Sequence, residues 1–163
     1  MRSDRGGEFT YKEFNDFCES HRIRRPLMVP RSPQQNGVAE RKNKTILNMT
    51  RFMLKTKNMP KKFWVEAISC AVYLSNKSLT RNVKDKTPQE TWNGRKANVD
   101  HLRVFGSIAY THVPQQERSK LDDRSVKHVF VGYDSNSKGY KLYNPSNGKV
   151  VVSRDVEFDE EAT

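Results

Sequence analysis

Up to about Lys96 the apolar positions of this chain recur mostly at helical spacing; beyond it they come in short β-branched and aromatic runs. From Phe9 to Ser20 the apolar positions are Phe9, Phe14, Phe17 and Cys18, with Thr10 placed to cap and Glu13 three residues later. That spacing predicts a short amphipathic helix. Ile23 to Val29 is partly β-branched and ends at Pro30, which predicts a brief strand. The next stretch, RSPQQNG, is rich in Pro, Gln, Asn and Gly and is expected to be a loop. Val38 to Lys57 predicts a long helix. Wound at about 100° per residue, it gathers Val38, Ala39, Ile46, Met49 and Met53 on one side. Glu40, Arg41, Lys44, Asn48, Arg51 and Lys55 gather on the other, and Lys42 falls off the pattern. Pro60 suits the start of a further helix whose inner face is Phe63, Trp64, Ala67, Ile68, Ala71 and Leu74. Thr87-Pro88-Gln89-Glu90 has the form of a capping box opening a short helix that carries Trp92.

The later runs, VFGSIAYTHV, VKHVFVGYD, YKLYN and KVVVSRDVEF, are separated by turn residues such as Pro145 and Asn147-Gly148. They predict four or five antiparallel strands closing a small β-barrel of about 60 residues. The acidic end, DEEAT, is expected to fray. No internal repeat is visible.

Charge changes the picture. The net charge is +11, and residues 1–96 hold 21 basic and 9 acidic side chains while residues 97–163 hold 9 and 10. The whole excess therefore lies in the helical part, the footprint of a polyanion-binding segment joined to a nearly neutral module. Cys18 and Cys70 are too few for a disulfide framework and suit a reducing, intracellular compartment. No apolar run approaches the roughly 18 residues of a membrane span, and no membrane partner is expected.

Within the basic part, Glu40 is the only acid between Glu19 and Glu66, an interval with twelve Lys and Arg. It is either an ion-pair partner, for instance with Lys44 one helical turn on, or a metal ligand. Asp4, in SDRGGEF, sits on a glycine-permissive turn where it is either an ordinary turn aspartate or a carboxylate placed close to a ligand. Thirty-five residues, Arg5 to Ala39, separate Asp4 from Glu40.

With that spacing the sequence resembles the integrase core of retroviruses and retrotransposons, a branch of the RNase H-like polynucleotidyl transferases. SDRGGEF resembles the turn of the family's second catalytic aspartate, and PRSPQQNGVAERKNKT its flexible loop and glutamate-bearing helix. KTPQETWNGRKANVDHLRVFGSIAY and VFVGYDSNSKGYKLYNPSNGKVVVSRDVEF resemble the region after the core in copia-type (Pseudoviridae) polyproteins. The resemblance implies an α/β fold class: a partial RNase H-like core, mostly its C-terminal helices, followed by a small all-β SH3-like barrel. It divides the chain into residues 1–80, the C-terminal part of the catalytic core; 81–100, a linker with a short helix; 101–158, the barrel; and 159–163, an acidic tail.

The implied activity is DNA integration, in which a DNA 3′-hydroxyl attacks a target phosphodiester with the help of Mg²⁺ or Mn²⁺. Asp4 and Glu40 would be catalytic carboxylates and metal ligands. Ser32, Gln34, Gln35 and Asn36 of the loop, with Arg41, Lys44, Arg51 and Lys55 of the helix, would contact DNA. The implied partners are DNA, as element ends and as target, and further copies of the chain in an integrase complex, in the nucleus and in cytoplasmic particles. The family's first catalytic aspartate belongs upstream of Asp4, so this stretch is expected to be inactive alone and to bind metal weakly. No zinc site is expected, since Cys18-x-x-His21 is half of one and His101, His112 and His128 are scattered. A core cut in this way is also expected to leave the apolar faces of its first two helices partly exposed. The alternative from another class is a non-catalytic nucleic-acid-binding or protein-interaction module. A helix-turn-helix reading is weaker, because the second central helix is apolar and Trp-bearing.

Overall fold

The computed structural model describes residues 11–23, 37–81, 83–113 and 124–162. Asp4, Ser32, Gln34, Gln35, Asn36 and all of the expected Ile23–Val29 strand except Ile23 lie outside the described residues. The chain divides into two compact units, residues 1–45 and 46–163.

The first unit contains α1, Lys12–Ser20. Cys18 is buried, while Tyr11 and Phe17 are exposed. Phe17 lies against the ring of His21, with centroids 4.2 Å apart. The helix ends at Arg22, whose left-handed φ of 51° turns the chain so that the Ile23 N–H reaches the Cys18 carbonyl. The next helix, α2, spans Gly37–Thr56, so the boundary between the units falls within it.

In the second unit α2 buries Ile46, Thr50 and Leu54, one residue per turn, with Met49 and Met53 half-buried beside them. The buried Thr50 hydroxyl donates to the Ile46 carbonyl (2.8 Å), so it enters the core without an unmet hydrogen bond. The inner seam is therefore rotated from the one the sequence suggests, and Val38 is exposed. Asn58 at φ 49° closes the helix, the Met59 N–H bonding to the Leu54 carbonyl at 2.8 Å. A 3₁₀ turn, Lys61–Phe63, capped by Pro60, leads into α3, Trp64–Lys77. The buried residues of α3 are Ala67, Cys70, Ala71 and Ser75, all small.

Next comes α4, Pro88–Asn93, with a complete capping box. The Thr87 hydroxyl accepts from the Glu90 N–H (3.1 Å) and the Glu90 carboxylate accepts from the Thr87 N–H (2.7 Å). Five strands follow: β1 Ile108–His112, β2 Ser125–Tyr133, β3 Tyr140–Tyr143, β4 Val150–Ser153 and β5 Val156–Asp159. They form one antiparallel sheet in the order β4-β3-β2-β1-β5, with a bulge between Phe130 and Gly132 of β2. The molecule is thus a helical part followed by a small β domain, as expected from the sequence.

Two apolar clusters hold the second unit together. One, Ala109, Phe130 and Leu142 with Tyr140, Val156 and Phe158 against them, is the interior of the β domain. Phe130 meets the rings of Tyr133, Tyr140 and Phe158 edge-on at 5.2–5.7 Å, each contact worth about 0.5–1.5 kcal/mol beyond burial. The other joins helices to sheet: Leu54, Phe63, Ala67, Cys70, Phe105 and Val131. Tyr133 packs against both.

Gly106 is the tightest joint. Its φ is +84°, and a Cβ there would come within 2.8 Å of Lys57 Cβ and 3.0 Å of Met59 Cγ. Lys57 itself reaches the chain's end, donating to the carbonyls of Glu160 (2.6 Å) and Ala162 (2.9 Å). The Val104 N–H donates to the Glu160 carboxylate. Residues expected to fray are therefore fastened, through partners more than fifty positions away that local sequence does not announce. No described helix is long and apolar enough to cross a membrane.

Two outcomes follow from this packing. Gly106→Ala is expected to destabilise the chain by about 2 kcal/mol or more, from the left-handed φ and the overlap with Lys57 together. An unchanged urea midpoint would show that the joint is looser. The Cys70 thiol is pushed up to about 12 by burial, so in a Cys18→Ser background it should resist iodoacetamide near neutral pH until unfolding. Rapid labelling of the native chain would contradict a closed α3 face.

Candidate nucleic-acid interface

The polar side of α2 carries exposed cations in the part belonging to each unit. Glu40, Arg41, Lys44, Asn48, Arg51 and Lys55 are all exposed. The first three belong to the N-terminal unit and the others to the C-terminal one. Glu40 stands in the first turn, where a carboxylate is favoured by the helix dipole. Its expected companion Asp4 is outside the described residues, so the structure does not bring the two together or separate them. Among the described residues no group of three or more His, Cys, Asp and Glu side chains is placed to hold a metal ion. Those residues do not by themselves form a metal centre.

In the C-terminal unit the cations acquire a setting that the helix alone does not supply. Arg51 and Lys55 line an open groove of about 810 Å³ with Leu54, Asn58, Met59, Lys61 and Trp64. The Arg51 guanidinium lies 3.4 Å from the Asn48 side-chain oxygen, which orients it along the helix. The floor is apolar (Leu54, Met59, Trp64) and the rim carries three cations, with no carboxylate in the lining. An apolar floor with a cationic rim suits a polyanion whose backbone also presents sugar surface.

Lys61 and Trp64 were not singled out as site residues from sequence, although the KNMPKKFW stretch around them is basic and aromatic. What that stretch does not show is how its two adjacent lysines divide. Lys61 joins the groove, whereas Lys62 turns to the sheet. Its ammonium donates to the Tyr143 hydroxyl (2.9 Å) and sits over the Tyr143 ring at 4.6 Å. The 3₁₀ turn causes this split, because three residues per turn send neighbouring side chains in different directions.

Three of the histidines have hydrogen-bond partners among the described residues. His101 Nε2 lies 2.7 Å from the Tyr73 hydroxyl, and the buried His128 has Nδ1 2.9 Å from the Val126 carbonyl. His21 bonds within its own helix turn.

Residues 107–163 match the family model of the retroviral polymerase SH3-like domain. Over nearly its whole length the chain is similar to retrovirus-related Pol polyproteins of plant transposons. It is 46% identical over 160 residues to that of transposon TNT 1-94 of Nicotiana tabacum, covering 98% of this chain and 12% of the polyprotein. It is 34% identical over 160 residues to that of transposon RE2 of Arabidopsis thaliana, covering 98% of this chain and 11% of the polyprotein. The chain thus spans only about a ninth to an eighth of the length of the curated relatives it matches. Among solved structures, a chain of the simian T-cell lymphotropic virus intasome in complex with PP2A regulatory subunit B56 gamma aligns at TM-score 0.45 and 17% identity, over 93% of this chain and 53% of that one.

The groove makes a quantitative expectation. For binding to a duplex, Arg51→Gln, Lys55→Gln and Lys61→Gln should each reduce the slope of log affinity against log salt by about one unit. Fluorescence anisotropy over a salt series measures it, and three unchanged slopes would remove the groove from the binding surface.

Proposed function

The chain belongs to the copia-type retrotransposon Pol family and carries its SH3-like domain at residues 107–163, and from that premise we propose that it is a DNA-binding segment of an integrase. The observation that carries this reading is the set of exposed cations on α2, three of whose neighbours form the floor of a groove free of acidic lining. In this reading Arg51, Lys55 and Lys61 hold the phosphodiester backbone, and Arg41 and Lys44 do the same along the N-terminal part of α2. Ser32, Gln34, Gln35 and Asn36 supply neutral hydrogen bonds to phosphate or base edges. Recognition built on phosphate contacts tolerates sequence variation and weakens steeply with salt.

Glu40 has a different task. On a helix that otherwise presents cations to a polyanion, a carboxylate opposes binding, and in this reading it serves a metal ion instead. With Asp4 it would provide two carboxylate ligands for Mg²⁺ or Mn²⁺. The chemistry such ions supply is charge stabilisation during in-line displacement at phosphorus. The integrase reaction, target capture and association with further copies are proposed here for the polyprotein of which this chain resembles a part. Two carboxylates are too few to hold the ions tightly without substrate and further ligands.

The test is Glu40→Gln. Duplex affinity is expected to be preserved or raised a few-fold, since one repelling charge is removed from a cationic face. Mn²⁺ binding measured by calorimetry on the unmodified chain is expected to be weak. Loss of duplex binding in Glu40→Gln would assign Glu40 a structural ion-pair role instead. Tight stoichiometric Mn²⁺ binding abolished by the same substitution would mean that the chain holds a complete metal site.

A further inference from the structure

Trp92 poses a separate problem. Placed by the capping box on the last turns of α4, it is 90% exposed, more than any other large apolar side chain described. It does not contribute to either core cluster. It walls a depression of about 470 Å³ with Tyr73, Asn76, Pro88, Gln89 and Asn93. Tyr73, Gln89 and Asn93 also line a second cavity, of about 410 Å³, so the two hollows share a wall.

The charged lining of the second cavity is Lys77, Arg95, Lys96 and Lys138 against a single carboxylate, Asp134. That carboxylate is already engaged: its Oδ2 accepts from the N–H groups of Asn136 (3.2 Å) and Ser137 (2.8 Å). Lys77 is partly buried, its ammonium 4.9 Å above the Tyr73 ring. The pKa of His101, also in the lining, is held below the ordinary histidine value by burial first, and then by Lys77 and Arg103. Gly94 supplies the geometry. Its left-handed φ of 67° ends α4 directly after Asn93, so Arg95 and Lys96 turn into the cationic cavity while Trp92 stays in the adjoining hollow.

A ligand matching both hollows needs an open flat π-face and closely spaced anionic groups. A duplex hides its base faces in the stack, and an acidic peptide meets the cations but leaves the indole bare. Single-stranded nucleic acid has both features, and an aromatic platform beside a cationic channel is how such strands are held. We propose that Trp92 and the Lys77–Arg95–Lys96–Lys138 cavity form a binding site for single-stranded nucleic acid, with a base stacked on the indole and the adjoining phosphates in the cavity. This site is distinct from the α2 groove and shares no residue with it. The near-neutral net charge of residues 97–163 does not forbid it, since three of its four cations precede residue 97.

The chain has two tryptophans, so a Trp64→Phe variant reports Trp92 alone. An oligothymidylate of about 12 nucleotides should quench its emission saturably. Trp92→Ala should weaken single-strand binding about tenfold or more, and Trp92→Phe should restore most of it. Duplex affinity should stay unchanged in both. The double variant Arg95→Gln, Lys96→Gln should lower the salt slope for the single strand by about one unit. Arg51→Gln and Lys55→Gln should weaken the duplex and spare the single strand, so failure of the α2 reading and failure of this one are distinguishable. An oligouridylate run in parallel shows whether the strand taken is RNA, DNA or either. The proposal is overturned by a Trp92→Ala variant that binds the single strand normally, or that loses single strand and duplex equally.

Discussion

The closeness of α3 to the sheet governs the C-terminal unit. Ala67 and Ala71 are fully buried and Cys70 nearly so. Where a helix offers only small side chains its backbone comes close to its neighbour, and dispersion contacts multiply. Phe63, Phe105 and Val131 close around this contact, and losing a ring such as Phe105 would cost about 3–5 kcal/mol. Both surfaces described above depend on it. The 3₁₀ turn leading into α3 brings Lys61 and Trp64 to the groove with Arg51 and Lys55. Farther along, α3 brings Tyr73 and Lys77 to the cavity beside the β2–β3 turn, with the Tyr73 ring stacked on Tyr133 at 4.2 Å.

Features written in neighbouring residues could be read from the sequence. The capping box at Thr87, the helix after Pro60, the exposed cations of α2 and the runs that become β1 to β5 all follow from period and local hydrogen-bond chemistry. What escaped was set at a distance. The seam of α2 turned toward Thr50 and Leu54 because a threonine that bonds its own backbone is as buriable as a methionine. The chain end was fixed by a lysine 103 positions away. The groove needed Lys61 and Trp64 to fold back beside Arg51, which no helical wheel of α2 contains. The carboxylate pair is a matter of spacing and resemblance alone, because Asp4 is not among the described residues.

Net charge by segment does not describe how charges gather in the fold. The residues from 97 onward sum to nearly zero, yet Lys138 joins cations from α3 and from the segment after α4, while Asp134 is taken up by its own turn. A formal count gives each carboxylate the same weight. In the fold, one that accepts two backbone N–H bonds offers less to a neighbouring ammonium than one standing free.

The shared core also bears on how such elements can change by recombination. The SH3-like match begins at Ser107, but Phe105 and Gly106 lie just before it and Ala67 and Cys70 farther upstream. A crossover at the matched boundary would set a foreign β2 against a helix shaped for Val131. The smallest piece that such elements could trade without loss therefore starts near the end of α2, and substitutions at Ala67, Gly106 and Val131 are expected to drift together down a lineage.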